Sequence, residues 1–247
     1  MISVEEQGDV SVVRLENGPV NVLDLELLRA LTETLRGLSG AGALVLTGAG
    51  RAFSAGVDLR RILDGGREYA EAFLPALSAA FRAVFEHPRP VVAAVNGHAI
   101  AGGCIFVAAC DLRLMSAGTI GVTELPVGVP FPPAALETLR FAVGPATARL
   151  VLTGETLSAA KAAALGLVDE VVEPAVLLDA ALIRARQLAS IPAGTFTLTK
   201  AQLRHRTSER IDADELAYAH QLLDAWTGEP ARNAISRYLD QLKARRS

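Results

Sequence analysis

Apolar and polar positions change their period along the chain, and those changes predict its elements. Val10 to Leu15 and Gly42 to Thr47 are short apolar runs, the second stopped by Gly48-Ala49-Gly50, and both read as strands. Between them, Leu25 to Leu38 carries apolar residues at 25, 27, 28, 31, 35 and 38, the recurrence of one helix face, and Asp24 stands where an N-cap belongs. Val91 to Val95 is another strand, closed by Asn96-Gly97, and the small residues after it suit a helix packed close to its neighbours. Leu112 to Met115 and Ile120 to Val122 add short strands, and Leu167 to Val172 a later one before Pro174. Strand-to-helix units in succession predict an α/β core with substantial parallel pairing, and no fixed-period repeat is visible. After Pro174 the pattern turns helical throughout, in Ala175 to Ser190, Ala193 to His205, Ser208 to Ala225 and Glu229 to Arg246. So small a helical block is expected to pack on its own domain or on a neighbouring subunit.

Composition narrows the class. The 247 residues suit one large domain or a domain with a satellite, and the change after Pro174 favours the second. A content of 51% hydrophobic and 21% charged residues is that of a globular chain. The net charge of −3 gives no broad attraction to nucleic acid, so a polyanionic small ligand would need a local Arg or Lys cluster. Cys104 and Cys110 lack metal or redox spacing and read as reduced core thiols; no set of His, Cys and carboxylate residues has metal-ligand spacing. The most apolar region, Pro90 to Cys110, is interrupted by Asn96-Gly97-His98 and Gly102-Gly103, so no membrane span is expected. Met1 to Glu6 begins acidic, without the basic and apolar regions of a signal peptide, and a cytoplasmic location is the expectation.

The candidate chemistry sits in two glycine turns, Phe53-Ser54-Ala55-Gly56-Val57-Asp58 and Gly97-His98-Ala99-Ile100-Ala101-Gly102-Gly103, each after an apolar run. Glycine lets main chain approach a ligand, and a helix opened at Gly102 would point its dipole the same way. Together the turns can aim two backbone N–H groups at one carbonyl oxygen, as an oxyanion hole does.

The segments Phe53 to Leu59, Pro90 to Gly103 and Cys110-Asp111-Leu112-Arg113 resemble, in this order, the enoyl-CoA hydratase/isomerase (crotonase) superfamily. The resemblance continues through Leu157-Ser158-Ala159, Ala164 to Asp169 and Leu198-Thr199-Lys200, covering most of the chain. It implies a crotonase-like α/β spiral core of repeated strand-strand-helix units over residues 1–190 and an all-helical oligomerisation region over 191–247. It also implies an acyl-CoA thioester substrate, no separate cofactor, and a homotrimer or a hexamer made from two trimers. Carried over, the oxyanion donors fall on the N–H groups of Val57 and Gly102. The family's hydratases use two glutamates, and the matching positions here are Ile105 and Glu124.

That departure favours one reaction class. Hydration needs a water activated while a proton is delivered, work shared by two carboxylates, and Ile105 cannot contribute. Shifting a double bond needs a single base that takes a proton from C2 and returns it at C4, and a lone Glu in an apolar pocket suits this because desolvation raises its pKa. Ala101-Gly102-Gly103-Cys104-Ile105, Ile120-Gly121-Val122-Thr123-Glu124 and the tail Ile235 to Lys243 are similar to the Δ3,Δ2-enoyl-CoA isomerases of the superfamily, which implies a role in fatty acid β-oxidation. Glu124 is thus the expected acid/base, with Ala55, Gly56, Asp58, Arg60, Gly103 and Ile105 expected against the substrate. Asp58 is also expected to shape its turn. Arg60, with weaker support Lys243, Arg245 and Arg246, is the candidate for the coenzyme A phosphates, and Gly65 to Ala80 with Phe131-Pro132-Pro133 for the acyl pocket. His98 and His87 read as structural. A 2-enoyl-CoA hydratase and a non-catalytic acyl-CoA binding protein are the alternatives.

Overall fold

The computed structural model describes residues 2–244. Its strands are β1 (Ile2–Gln7), β2 (Val10–Leu15), β3 (Val22–Leu23), β4 (Ala43–Gly48), β5 (Ala52–Ser54), β6 (Gly56–Val57), β7 (Val91–Val95), β8 (His98–Ile100), β9 (Leu112–Met115), β10 (Thr119–Gly121), β11 (Thr156–Ser158) and β12 (Glu170–Val171). Its α-helices are α1 (Leu25–Gly37), α2 (Leu59–Phe85), α3 (Gly102–Ala109), α4 (Glu124–Val127), α5 (Pro133–Val143), α6 (Ala146–Thr153), α7 (Ala159–Leu165), α8 (Leu177–Ala189), α9 (Ala193–Thr227) and α10 (Glu229–Ala244).

The order repeats: a strand in a large sheet, one in a smaller sheet, then a helix. β2, β3 and α1 form the first such unit, followed by β4, β5 and α2, then β7, β8 and α3, then β9, β10 and α4. Each unit lays its strands beside those of the unit before, so the large sheet runs β1-β2-β4-β7-β9-β12 and the small one β11-β10-β8-β5, with β3 and β6 paired separately. From β2 to β12 the large sheet is parallel, and only β1 is antiparallel to its neighbour. This is the spiral of strand-strand-helix units that the family resemblance implies. No fixed period marks it, because the helix within a unit varies from 27 residues in α2 to 4 in α4.

Alternation along the sheet separates two cores. Val13, Leu15, Leu44, Leu46, Val91, Ala93 and Val95 face α1, α2 and α3, while Val10, Val12, Val45, Val92 and Ala94 face Leu177, Ala181, Leu182 and Ala185 of α8. A strand covered on both faces reads as an unbroken apolar run, which is why β4 and β7 are legible in the sequence. Asp24 caps α1 as expected, its carboxylate accepting from Leu27 N–H at 2.8 Å.

Some elements were not foreseen, and two expectations need correction. β1 was not foreseen: it is an edge strand, mostly exposed, with too few apolar residues to show a pattern. The stretch Gly65 to Ala80 belongs to α2, which Gly66 kinks at φ 57° and which contains Pro75. Burial of Phe73, Leu74, Leu77, Phe81 and Phe85 carries the helix through both interruptions. The helices expected at Ala193–His205 and Ser208–Ala225 are one, α9, because Arg204 and Thr207 occupy core-facing positions and break the apolar pattern without breaking the backbone. Of Leu167 to Val172, only Glu170–Val171 joins a sheet.

Charged side chains lock these helices down. The Asp111 carboxylate accepts from Val91 N–H, Lys200 Nζ and Arg204 Nη2 at 2.8, 2.7 and 2.8 Å, and the Arg204 guanidinium lies 4.3 Å from the centre of the Phe85 ring. Buried Glu137 of α5 takes Arg140 and, at 2.6 Å, Arg210 of α9. Arg113 and Asp169 pair at 2.7 Å. Among the described residues no helix is long and apolar enough to cross a membrane.

Candidate active site

Two turns and one acid meet at the edge of the small sheet. Asp58 N–H donates to Leu23 O at 3.0 Å, so strand alternation sends the N–H of Val57 to the opposite edge of β6. At that edge Gly56 has φ 83°, and a Cβ built on it would stand 2.8 Å from Ile100 O, 2.9 Å from Ala101 Cβ and 3.5 Å from Gly102 N. Only glycine permits this approach, so direct main-chain contact sets the spacing of the two turns. Asn21 supports the first turn. Its side chain donates to Ala49 O and Ala52 O at 3.0 and 2.9 Å, and its carbonyl accepts from Ser54 Oγ at 2.7 Å. The second turn ends on Ala101, held at φ 52° and ψ −122°, a conformation that a Cβ disfavours. Gly102 then opens α3, where an N–H has no acceptor within its own helix.

Glu124 reaches this place through sheet register. β10 pairs with β8, Gly121 opposite Ile100, and the chain turns after Gly121 into α4, whose first residue is Glu124. The side chain is buried and its Oε2 has no hydrogen-bond partner among the described residues. Desolvation raises its pKa to about 7, against smaller opposing effects of the Glu124 and Thr123 main-chain amides.

A cavity of about 490 Å³ collects these groups. Of the residues expected in the site, Ala55, Val57, Asp58, Arg60, Gly102 and Glu124 line it, and so does Lys243. Gly56, Gly103 and Ile105 do not. Gly56 is the contact between the turns, Gly103 packs on the Ser54 main chain, where a Cβ would come within 2.6 Å of Ser54 O, and Ile105 is fully buried in the core. The Asp58 carboxylate shapes its turn, accepting from the Arg60 and Arg61 N–H groups at 3.1 and 3.3 Å. Arg61 pairs with Glu26 and Asp24, whereas Arg60 enters no ion pair among the described residues. Arg245 and Arg246 lie outside the described residues.

His98 turns away from the cavity and takes Thr119 N–H on Nδ1 at 3.2 Å. His87 is buried and lies 3.1 Å from Leu35 O, and burial lowers its pKa. Cys104 and Cys110 are buried and unbridged, and burial pushes both thiols up.

Most of the remaining wall was missed in the sequence. Leu77 and Phe81 of α2, Val127, Val129, Pro132 and Ala135, Trp226 of α9 and Tyr238, Leu239 and Leu242 of α10 line the cavity. Of the stretches expected to shape an acyl pocket, only Leu77 and Pro132 contribute. A larger cleft of about 940 Å³ between α1, α2 and α9 shares only Pro132 with it. Its acids are occupied, Glu71 by Arg67 and both Glu86 and Glu215 by Arg82, so the smaller cavity is the candidate site.

Residues 5–245 match the family described as enoyl-CoA hydratase/isomerase. The chain belongs to this family, and its fold is that of the crotonase superfamily. A putative enoyl-CoA hydratase of Thermus thermophilus is 38% identical over 82% of this chain and 83% of its own length. The mitochondrial enoyl-CoA delta isomerase 1 of Homo sapiens is 27% identical over 98% of this chain and 83% of its own. The crystal structure of human mitochondrial Δ3-Δ2-enoyl-CoA isomerase superposes with a TM-score of 0.94 at 28% identity, covering 100% of this chain and 99% of that one.

Proposed function

We propose that the protein isomerises 3-enoyl-CoA thioesters to 2-enoyl-CoA, with Glu124 as its one acid/base. The observation that carries this reading is the buried Glu124 carboxyl, its Oε2 without a hydrogen-bond partner among the described residues, on the wall of the same cavity as Val57 and Gly102. Removing a proton from C2 places negative charge on the thioester oxygen, and the N–H groups of Val57 and Gly102 would hold that charge as an oxyanion hole. The C2–H bond breaks, its proton passes to Glu124, and the dienolate recovers that proton at C4 as the double bond moves from C3 to C2. A pKa near 7 leaves Glu124 able both to take and to return the proton. The one other carboxylate on the cavity wall, Asp58, is occupied by the first amides of α2, which argues against a two-acid hydration. Coenzyme A would arrive as part of the substrate; Arg60 is the candidate for its phosphates, supported by its position on the cavity wall and its lack of an ion pair among the described residues. Exposed Leu198, Leu203 and Leu216 on α9 support assembly into trimers or pairs of trimers.

The test supplies 3-enoyl-CoA and follows the conjugated 2-enoyl product, with hydration of 2-enoyl-CoA measured in parallel. Wild-type enzyme should isomerise faster than it hydrates, and Glu124→Gln should lose roughly 1000-fold in turnover while still binding thioester. Unchanged turnover in that variant refutes the assignment. Hydration faster than isomerisation selects the hydratase, and tight binding with no reaction selects a binding protein.

A further inference from the structure

We propose that Trp226 is a positioning residue for Glu124, acting through the segment that follows the acid; this rests on the reading of Glu124 as the base. Among the described residues no side chain holds Oε2 of Glu124, so the carboxyl is placed mainly by its main chain. The turn closes on itself, Gly128 and Val129 donating N–H to Glu124 O at 3.0 and 3.1 Å. One residue further on, Pro130 O accepts from Trp226 Nε1–H at 3.0 Å. Proline has no N–H, so this carbonyl is the main-chain polar group through which the residue can be gripped. The indole is 2% exposed and lies beside Phe73 of α2, ring centroids 6.5 Å apart. Gly128 is wedged against α10, where an added Cβ would come within 2.5 Å of Ala234 Cβ. The end of α9 and the start of α10 therefore fix the turn from two sides. Trp226 gives its ring to the cavity wall and its N–H to the loop that carries the acid.

The sequence contains one tryptophan, so residue-specific replacement by benzothienylalanine changes this position alone, keeping the ring shape and substituting sulfur for N–H. Trp226→Phe is the genetic counterpart. Displacing a reacting group by 1 Å costs about 100-fold, and loss of this one bond should lower kcat roughly 3- to 10-fold with thioester affinity within about twofold. The ionisable groups around Glu124, among the described residues, are Asp58, Arg60, Tyr238 and Lys243 on the cavity wall and the buried Cys104 thiol. With those unchanged, water reaching a loosened carboxyl should move the acid limb of kcat/KM to lower pH. Wild-type kcat and pH profile in both variants, or a loss confined to KM, overturns the inference. Each variant is assayed on 3-enoyl-CoA, on 2-enoyl-CoA with water, and by C2 proton exchange of a saturated acyl-CoA. A wild-type enzyme that hydrates but does not isomerise ends the isomerase reading and leaves Trp226 to be judged on hydration. A wild-type enzyme silent in all three ends both.

Discussion

Asp111 and Glu124 are both carboxylates withdrawn from water, and their surroundings are opposite. Asp111 receives a main-chain N–H, an ammonium and a guanidinium, which tie β7, the end of α3 and α9 together. Glu124 has one oxygen with no partner and a cavity in front of it. A buried acid surrounded by donors is a fastener. One left without them keeps its free energy of ionisation available for a proton-transfer step. The fastener has its own cost: burial pulls Lys200 down to about 8 even with Asp111 beside it.

Exchanging each acid for its amide tests the contrast. Glu124→Gln should have the largest effect, the ~1000-fold loss of turnover described above, with a wild-type melting curve near pH 4.5, where both forms of residue 124 are neutral. Asp111→Asn should do the converse. Removing the negative charge leaves two buried cations facing each other, a cost of about 3–5 kcal/mol, or a fall of roughly 6–20 °C in Tm. The molecules that remain folded should turn over at the wild-type rate. A variant losing both properties together would erase the distinction.

The pH dependence of stability sharpens it. The folded pKa of Glu124, about 7, lies above the ordinary value of 4.5, so the folded state holds a proton that the unfolded chain has released. That contribution is complete below 4.5 and lost as the pH rises through about 7. Glu124→Gln is therefore expected to be more stable than wild type by about 1–3 kcal/mol at pH 8 and to lose that advantage near pH 4.5, as read by denaturant midpoints. Activity runs the other way, since the base must be ionised, and kcat/KM should rise through half its maximum near pH 7. The smallest effect concerns the cavity mouth. Arg60→Ala should weaken a coenzyme A thioester about threefold and leave a pantetheine thioester unaffected, as measured by KM.

The same contrast explains what the sequence revealed. The strands β4 and β7 are legible because both faces are covered, and Asp24 and Asp58 because capping is a local act. The segments that carry the family resemblance meet as locks: Asp111 holds Lys200, and Arg113 holds Asp169. Ala55, Val57, Gly102 and Glu124 could be named in advance because backbone turns and a lone acid leave local signatures. Trp226, Phe81 and Leu239 could not, since an apolar side chain lining a cavity looks in sequence like one filling the core. Gly103 and Ile105, expected against the substrate from the family motif, lie instead on the Ser54 main chain and in the core. The single helix α9 was hidden by its own buried polar residues, Arg204 and Thr207.

Ala101 has a consequence of its own. At φ 52° and ψ −122° it sits where glycine would rest easily, and its methyl group adds a penalty of order 1–3 kcal/mol to the native state. Glycine there would relax that penalty and also give the chain more conformations at the mouth of α3. By keeping the methyl, the protein accepts a less comfortable resting state in exchange for a hinge that has been denied its play, so that the first amide of α3 stays aimed before any ligand arrives.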